Sequence, residues 1–173
     1  ITMNVGGLRA AQPILRESLF CMTAKSISLR QATEADVDAL YQLIVAIAEH
    51  HDQREYVFVT GEDLRRDGFG PAPKFGAVLA EVDGALVGYA SYTWDYAIWL
   101  GSTYMNIDDV YVSASHRGLG VGEALMRTLK EVCAERGLRR LRWEVQPDNT
   151  AAIRFYERIG ARMRTKGIFY WDV

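Results

Sequence analysis

Apolar and polar residues alternate over residues 26–30 (SISLR), the period of a half-buried strand. The spacing then lengthens. After Thr33, the acidic Glu34 and Asp36 precede Val37, Leu40, Leu43, Ile44 and Ile47, which line one face of a capped amphipathic helix. Thr60-Gly-Glu-Asp-Leu opens a short polar helix that runs into the turn-rich residues 67–73. Residues 75–82 and 85–94 are β-rich runs joined by Asp83-Gly84, a pair suited to a tight hairpin because both central positions of that turn need positive φ. Residues 104–112 (YMNIDDVYV) predict a further strand. Residues 118–136 carry Val121, Leu125, Leu129 and Val132 at helical spacing, with Gly137 as the stop. Residues 139–145 (RRLRWEV) alternate as a strand, and residues 149–159 (NTAAIRFYERI) predict a helix ended by Gly160. Residues 161–166 and 168–173 read as two closing strands.

This order, β-α-α-β-β-β-α-β-α-β-β, combines an antiparallel meander with one parallel crossover over residues 104–145, right-handed by the general rule. The fold class expected is therefore α/β: a mixed, mostly antiparallel sheet with helices on both faces. The 173 residues suit one domain, assigned to residues 22–173. Residues 1–21 show no sustained period and start without Met, so they are expected to be an upstream extension or expression remnant.

Composition narrows the function. With 49% hydrophobic and 24% charged residues, the chain lies away from the balance that prevents folding. A net charge of -2 supplies no positive field for phosphate backbones, which argues against nucleic acid as a partner. No apolar run approaches the roughly 20 residues that span a bilayer, and the start lacks a basic-then-apolar order, so the cytoplasm is expected and a membrane is not. Cys21 and Cys133 are too few for a disulfide framework and lack zinc-site spacing, which favours a reducing compartment and no metal.

The chemistry concentrates in Val112-Ser-Ala-Ser-His-Arg117-Gly118-Leu119-Gly120-Val121-Gly122, where alternating glycines follow a strand and open a helix. Glycine admits close backbone approach, and the first helical N–H groups have no internal acceptor, so the segment suits a pyrophosphate. Arg117 either adds charge-assisted contacts or pins the loop. A ligand-free strand-to-helix turn is the plain alternative. The Walker ending Lys-Ser/Thr is absent, and the dinucleotide spacing G-x-G-x-x-G fails because Glu123 stands three residues after Gly120.

At these residues the chain resembles the GNAT superfamily of N-acetyltransferases, whose loop pattern Arg/Gln-x-x-Gly-x-Gly/Ala is filled by Arg117, Gly120 and Gly122. The resemblance extends through residues 107–112 (IDDVYV), Trp143-Glu-Val-Gln-Pro-Asp-Asn149, and Ala152 through Phe155-Tyr156 to Gly160-Ala161. Within the superfamily the chain is similar to the diamine (spermidine/spermine) and thialysine N-acetyltransferase group, which residues 60–70 and Trp99-Leu-Gly101 also resemble.

The resemblance implies acetyl-CoA as donor, a small cationic primary amine as acceptor, direct attack of the amine on the thioester, and a homodimer. It places acetyl-CoA against Val110, Tyr111 and Val112, against Arg117, Gly118, Leu119, Gly120, Val121, Gly122 and Glu123, and near Asn149 and Ala152. The edge strand at residues 110–112 suits the peptide-like pantetheine arm and an oxyanion; Asn149 also suits a plain helix cap. Tyr156 is implied as general acid to the departing thiolate, although a tyrosine in an amphipathic helix is otherwise a core residue. Asp108 occupies the position of a glutamate assigned to base or anchoring duty. Strand alternation lets only one of Asp108 and Asp109 face a given cleft. His50 and His51 are candidate acceptor-side residues standing where polyamine-acetylating members carry acidic or aromatic ones. Trp94, with Tyr96 and Trp99, is a candidate cation–π wall or a packing residue. The other readings of the same residues are a protein or peptide amine as acceptor, and a non-catalytic acetyl-CoA sensor.

Overall fold

The computed structural model describes residues 26–171; the expectation for residues 1–21 lies outside them. Strands β1 (Ile27–Gln31), β2 (Phe75–Val82), β3 (Ala85–Ala97), β4 (Ser102–Val112) and β5 (Leu141–Arg142) form one sheet in the order β1-β2-β3-β4-β5. The first four pair antiparallel, and β4 pairs with β5 in parallel through Met105↔Leu141 and Asn106↔Arg142. The helices are α1 (Val37–His50), α2 (Gly61–Phe69), α3 (Val121–Glu135) and α4 (Thr150–Arg158).

Local chemistry sets these boundaries. At the β2–β3 turn, Asp83 and Gly84 adopt φ 52° and 81°, the left-handed pair the dipeptide predicts. Asp36 accepts from the Thr33 N–H at 2.8 Å and from both Arg30 Nη atoms at 2.7 and 2.8 Å, so the chain turns from β1 into a short 3-10 turn before α1 begins. The α2 start is reciprocal: the Asp63 N–H donates to Thr60 Oγ1 at 3.2 Å, and the Thr60 N–H donates to the Asp63 carboxylate at 3.1 Å.

Both faces of the sheet are covered, as the pattern requires. On one face Val121, Leu125, Leu129 and Cys133 of α3 pack against Val78, Ala90, Met105 and Ile107, and Phe155, Tyr156 and Ile159 join them from α4 and its end. On the other, Leu40 of α1 packs with Ala77, Leu79 and Tyr89. The α1 and α3 stripes read from periodicity are these two contacts.

The C-terminal half departs from expectation. The strand expected over residues 139–145 contracts to Leu141–Arg142, and residues 161–171 hold no strand. Alternation specifies a face but not a partner, and a strand exists only where another edge supplies its hydrogen bonds. Ile168, Phe169, Tyr170 and Trp171 are left 54%, 98%, 86% and 93% exposed.

Candidate active site

Between β4 and α3 the chain builds a glycine-rich turn. Arg117 Nε donates to the Val112 carbonyl at 3.0 Å, so the arginine pins the loop. His116 Nδ1 lies 2.9 and 3.0 Å from Ser113 Oγ and Ser115 Oγ, which makes it a loop residue. Gly118 and Gly120 take φ 79° and 87°, and Gly120 is the N-cap of α3. The first α-helical bond there is Ala124 N–H to Gly120 O at 3.0 Å, so the N–H groups of Val121, Gly122 and Glu123 precede it without an intrahelical acceptor. This is the donor set a pyrophosphate needs at the positive end of a helix. The Glu123 side chain is engaged elsewhere: its oxygens meet Arg127 at 2.7 Å and Arg158 at 3.0 Å, which hold its carboxyl below the usual range. For Glu123 the expected cofactor contact therefore reduces to its backbone N–H.

Beside this turn β4 has a free edge. Pairing with β5 ends at Asn106, while pairing with β3 continues to Val112. The Ser113 N–H donates to Val87 O at 2.8 Å, which fixes the phase of the antiparallel ladder. By alternation Tyr111 directs its backbone groups to β3, whereas Val110 and Val112 direct theirs to the open edge. Of residues 110–112, Val110 and Val112 are thus the ones free to pair with an added chain, and the Val112 carbonyl already receives Arg117. Leu119 is 40% exposed in the same loop.

Helix α4 packs on the same face as Val110 and Val112. The Tyr156 ring lies 5.1 Å from Trp143 and 5.0 Å from Phe155, and burial raises its phenol above the ordinary value, so the group keeps its proton. Asn149 caps α4, its Oδ1 accepting from the Ala152 N–H at 3.1 Å; both expected cofactor residues are joined in that cap. A Cβ at Gly122 would lie 3.6 Å from the Phe155 ring, which measures how closely α4 meets the first turn of α3.

The carboxylates lie on the opposite face. Between Ser91/Tyr92 the β3–β4 register shifts so that Ser91 pairs with Asp109 and Tyr92 with Ile107, leaving Asp108 as a bulge. Met105, Ile107, Val110 and Val112 all pack on the α3 side; two consecutive residues, Asp108 and Asp109, consequently share the α1 side. This corrects the expectation that alternation separates them, because the bulge cancels one step of the alternation. Asp109 Oδ2 accepts from Tyr89 Oη at 2.9 Å and from Ser91 Oγ at 3.5 Å. Asp108 Oδ1 accepts from Asn106 Nδ2 at 2.8 Å. Burial, then the charge of Asp109, push the Asp108 carboxyl up to about 6, against the pull of Asn106. Tyr89, Ser91 and Asn106 were not legible as site residues, because only strand register brings them to the carboxylates.

Other expected residues separate from this group. Trp94 packs on the α3 face, edge-on to Tyr92 at 5.2 Å and beneath the Arg136 guanidinium at 4.3 Å, so it is a packing residue across the sheet from Asp108. Tyr96 and Trp99 are 63% and 100% exposed near the β3–β4 tip. His50 and His51 end α1 with rings 5.2 Å apart; α1 covers the Asp108 face, but among the described residues no hydrogen bond joins either histidine to the carboxylates. A cleft of about 270 Å³ lined by Gln31, Phe69, Phe75, Tyr92, Trp94 and Arg136 includes Trp94 alone of the expected site residues. The site is the strand edge, where hydrogen-bond donors and carboxylates converge. Among the described residues no cluster of three His, Cys, Asp or Glu side chains is placed to hold a metal.

Comparison with known proteins identifies the family of the chain. A family model described as Acetyltransferase (GNAT) family matches residues 37–161. The chain is 31% identical over 149 residues to thialysine N-epsilon-acetyltransferase of Sus scrofa, covering 82% of this chain and 87% of that one. It is also 31% identical over 140 residues to spermidine/spermine N(1)-acetyltransferase-like protein 1 of Homo sapiens, 77% of this chain but 20% of that larger protein. In fold it is similar to an aminoglycoside acetyltransferase from an uncultured soil metagenomic sample in complex with sisomicin, with a TM-score of 0.75, 16% identity, and coverage of 85% of this chain and 96% of that one.

Proposed function

The chain belongs to the acetyltransferase (GNAT) family, and from that premise we propose that it moves the acetyl group of acetyl-CoA to a primary amine of a small polyamine-like or lysine-like cation. The observation that carries this reading is the two-sided edge of β4. The glycine-capped end of α3, Val110, Val112 and Tyr156 border it from one face, and Asp108 and Asp109 from the other. Donor and acceptor reach the same edge from opposite sides of the sheet.

The residues fit the donor. The N–H groups of Val121, Gly122 and Glu123 hold the pyrophosphate, and the open edge at Val110 and Val112 receives the pantetheine arm as an added strand. An ammonium has no lone pair, so the amine gives a proton to the Asp108 carboxylate, through water because the side chain is short. Its nitrogen then attacks the thioester carbonyl. The C–S bond breaks as the amide forms; Tyr156 donates the proton that the thiolate takes, and the second proton of the attacking nitrogen returns through water to the Tyr156 phenolate. The adjacent anions at Asp108 and Asp109 support a cationic acceptor over a neutral one. The homodimer belongs to the same proposal, supported by the exposed run of Ile168, Phe169, Tyr170 and Trp171.

Mass spectrometry of polyamines, lysine analogues, aminoglycosides and short peptides incubated with the protein and acetyl-CoA tests the reading. Acetylated polyamine or lysine analogue is expected; acetylated peptide alone moves the acceptor to a protein, and no product refutes transfer to these amines.

Asp108 gives a pH prediction with two signs. As a base it works ionised, so kcat/KM rises with pH through an inflection near 6 that Asp108→Asn removes together with most of the activity. In stability the sign is opposite. The folded state holds this proton more tightly than the unfolded chain, so stability falls as pH rises from the ordinary carboxylate range through about 6. Urea titrations should therefore find Asp108→Asn more stable than the unaltered protein at pH 7, with the gain vanishing at acid pH.

A further inference from the structure

We infer that Tyr89 is a positioning residue that divides the work of the two adjacent carboxylates, anchoring Asp109 as the fixed anion that receives the substrate cation and leaving Asp108 to exchange protons. The inference rests on the proposed acetyl transfer and adds to it a role for a residue wholly inside the core. Tyr89 is 0% exposed and packs with Leu40, Ala77 and Leu79 beneath α1. A fully buried phenol needs a hydrogen-bond partner, and this one donates to Asp109 Oδ2 at 2.9 Å. Ser91 Oγ reaches the same oxygen at 3.5 Å, so both donors hold one side of the carboxylate and, among the described residues, Oδ1 has no protein partner. A donor fixed in the core cannot follow a rotating side chain; the anion therefore points in one direction.

Asp108 has the opposite support. It sits on the bulge, its bond comes from a side-chain amide on the same strand, and the residue is exposed, although the protein crowded around its carboxyl removes enough water to raise its affinity for a proton. Around the pair, β3 contributes Tyr89 and Asp95, β4 contributes Tyr111, and α1 turns the apolar Leu43, Ile44 and Ile47 toward the same cluster. Among the described residues no Lys or Arg makes an ion pair with either carboxylate. The proton that Asp108 exchanges is felt against a neighbouring like charge, and a donor dedicated to Asp109 fixes where that charge sits.

The test compares the full-length protein with Tyr89→Phe, which keeps the ring and removes the hydroxyl. The amine KM should rise about tenfold, the loss of one hydrogen bond to a charged group. At the alkaline plateau kcat, and at every pH the KM for acetyl-CoA, should stay within about twofold, while the inflection near 6 moves to higher pH as the Asp109 charge, no longer drawn to a donor, acts more strongly on Asp108. A purely structural role predicts loss of stability with the inflection unmoved, and that outcome overturns the proposal. Asp109→Asn gives the second arm: the inflection moves to lower pH, and adding Tyr89→Phe to it moves the inflection no further. An equal shift in both backgrounds also overturns the proposal, and this arm stands even where Tyr89→Phe alone fails to fold, because an unmoved inflection in Asp109→Asn breaks the coupling it assumes. Failure of the unaltered protein to acetylate any amine refutes the underlying reaction instead and is seen before any variant is compared.

Discussion

Tyr156→Phe lowers kcat by about two orders of magnitude and leaves the affinity for acetyl-CoA within about twofold. The substitution isolates the hydroxyl. Phenylalanine keeps the ring contacts with Trp143 and Phe155 and removes only the hydroxyl. What disappears is a proton held above its ordinary affinity by burial, placed on the helix that packs on the same face of the sheet as Val110 and Val112. Steady-state kinetics and calorimetric titration with acetyl-CoA check the two halves separately. Unchanged kcat removes Tyr156 as the acid; an equal fall in kcat and in acetyl-CoA affinity makes it a packing residue of the donor groove.

Gly120→Val should weaken acetyl-CoA binding about five- to thirtyfold, on the order of 1–2 kcal/mol for forcing a side chain into the left-handed region. A β-branched residue at φ 87° is strained, and it relieves the strain by rotating the peptide that aims the first α3 amides. Space is not the issue, since an added Cβ at Gly120 would meet no protein atom within 4 Å. Gly84→Val is the matched control. Gly84 has φ 81°, equally open surroundings and a place in a hairpin turn that carries none of the amides assigned to the pyrophosphate. Both variants should lose thermal stability, and only Gly120→Val should lose acetyl-CoA affinity by calorimetry. Undiminished affinity in Gly120→Val refutes the pyrophosphate assignment.

Much of this arrangement is legible in the sequence, for reasons that are local. Asp83-Gly84 dictates its own turn, Thr60 and Asp63 cap each other within one turn of helix, and the glycines of residues 118–122 announce their backbone by composition. The stripes of α1 and α3 name their buried faces because the helical period is fixed. What escaped depends on partners distant in sequence. Trp94 reads equally well as a pocket wall or a packed residue until Arg136 is found stacked on it. Residues 161–171 carry a strand's alternation without a strand's pairing. The shared face of Asp108 and Asp109 follows from a register shift set opposite Ser91 and Tyr92, which no pattern within residues 104–112 encodes.

That shift makes the carboxylate pair a matter of counting. Substituting one residue of β4 changes a side chain, but removing one between Ile107 and Val110 would erase the extra step and let the strand run in unbroken alternation. The hydrophobic face would stay matched to α3, and one acidic position would vanish from the other side. Length is therefore constrained in this stretch independently of composition. Insertions and deletions there should be purged where many exchanges survive, while the β2–β3 tip, which carries none of the residues assigned to the reaction, is free to vary in length.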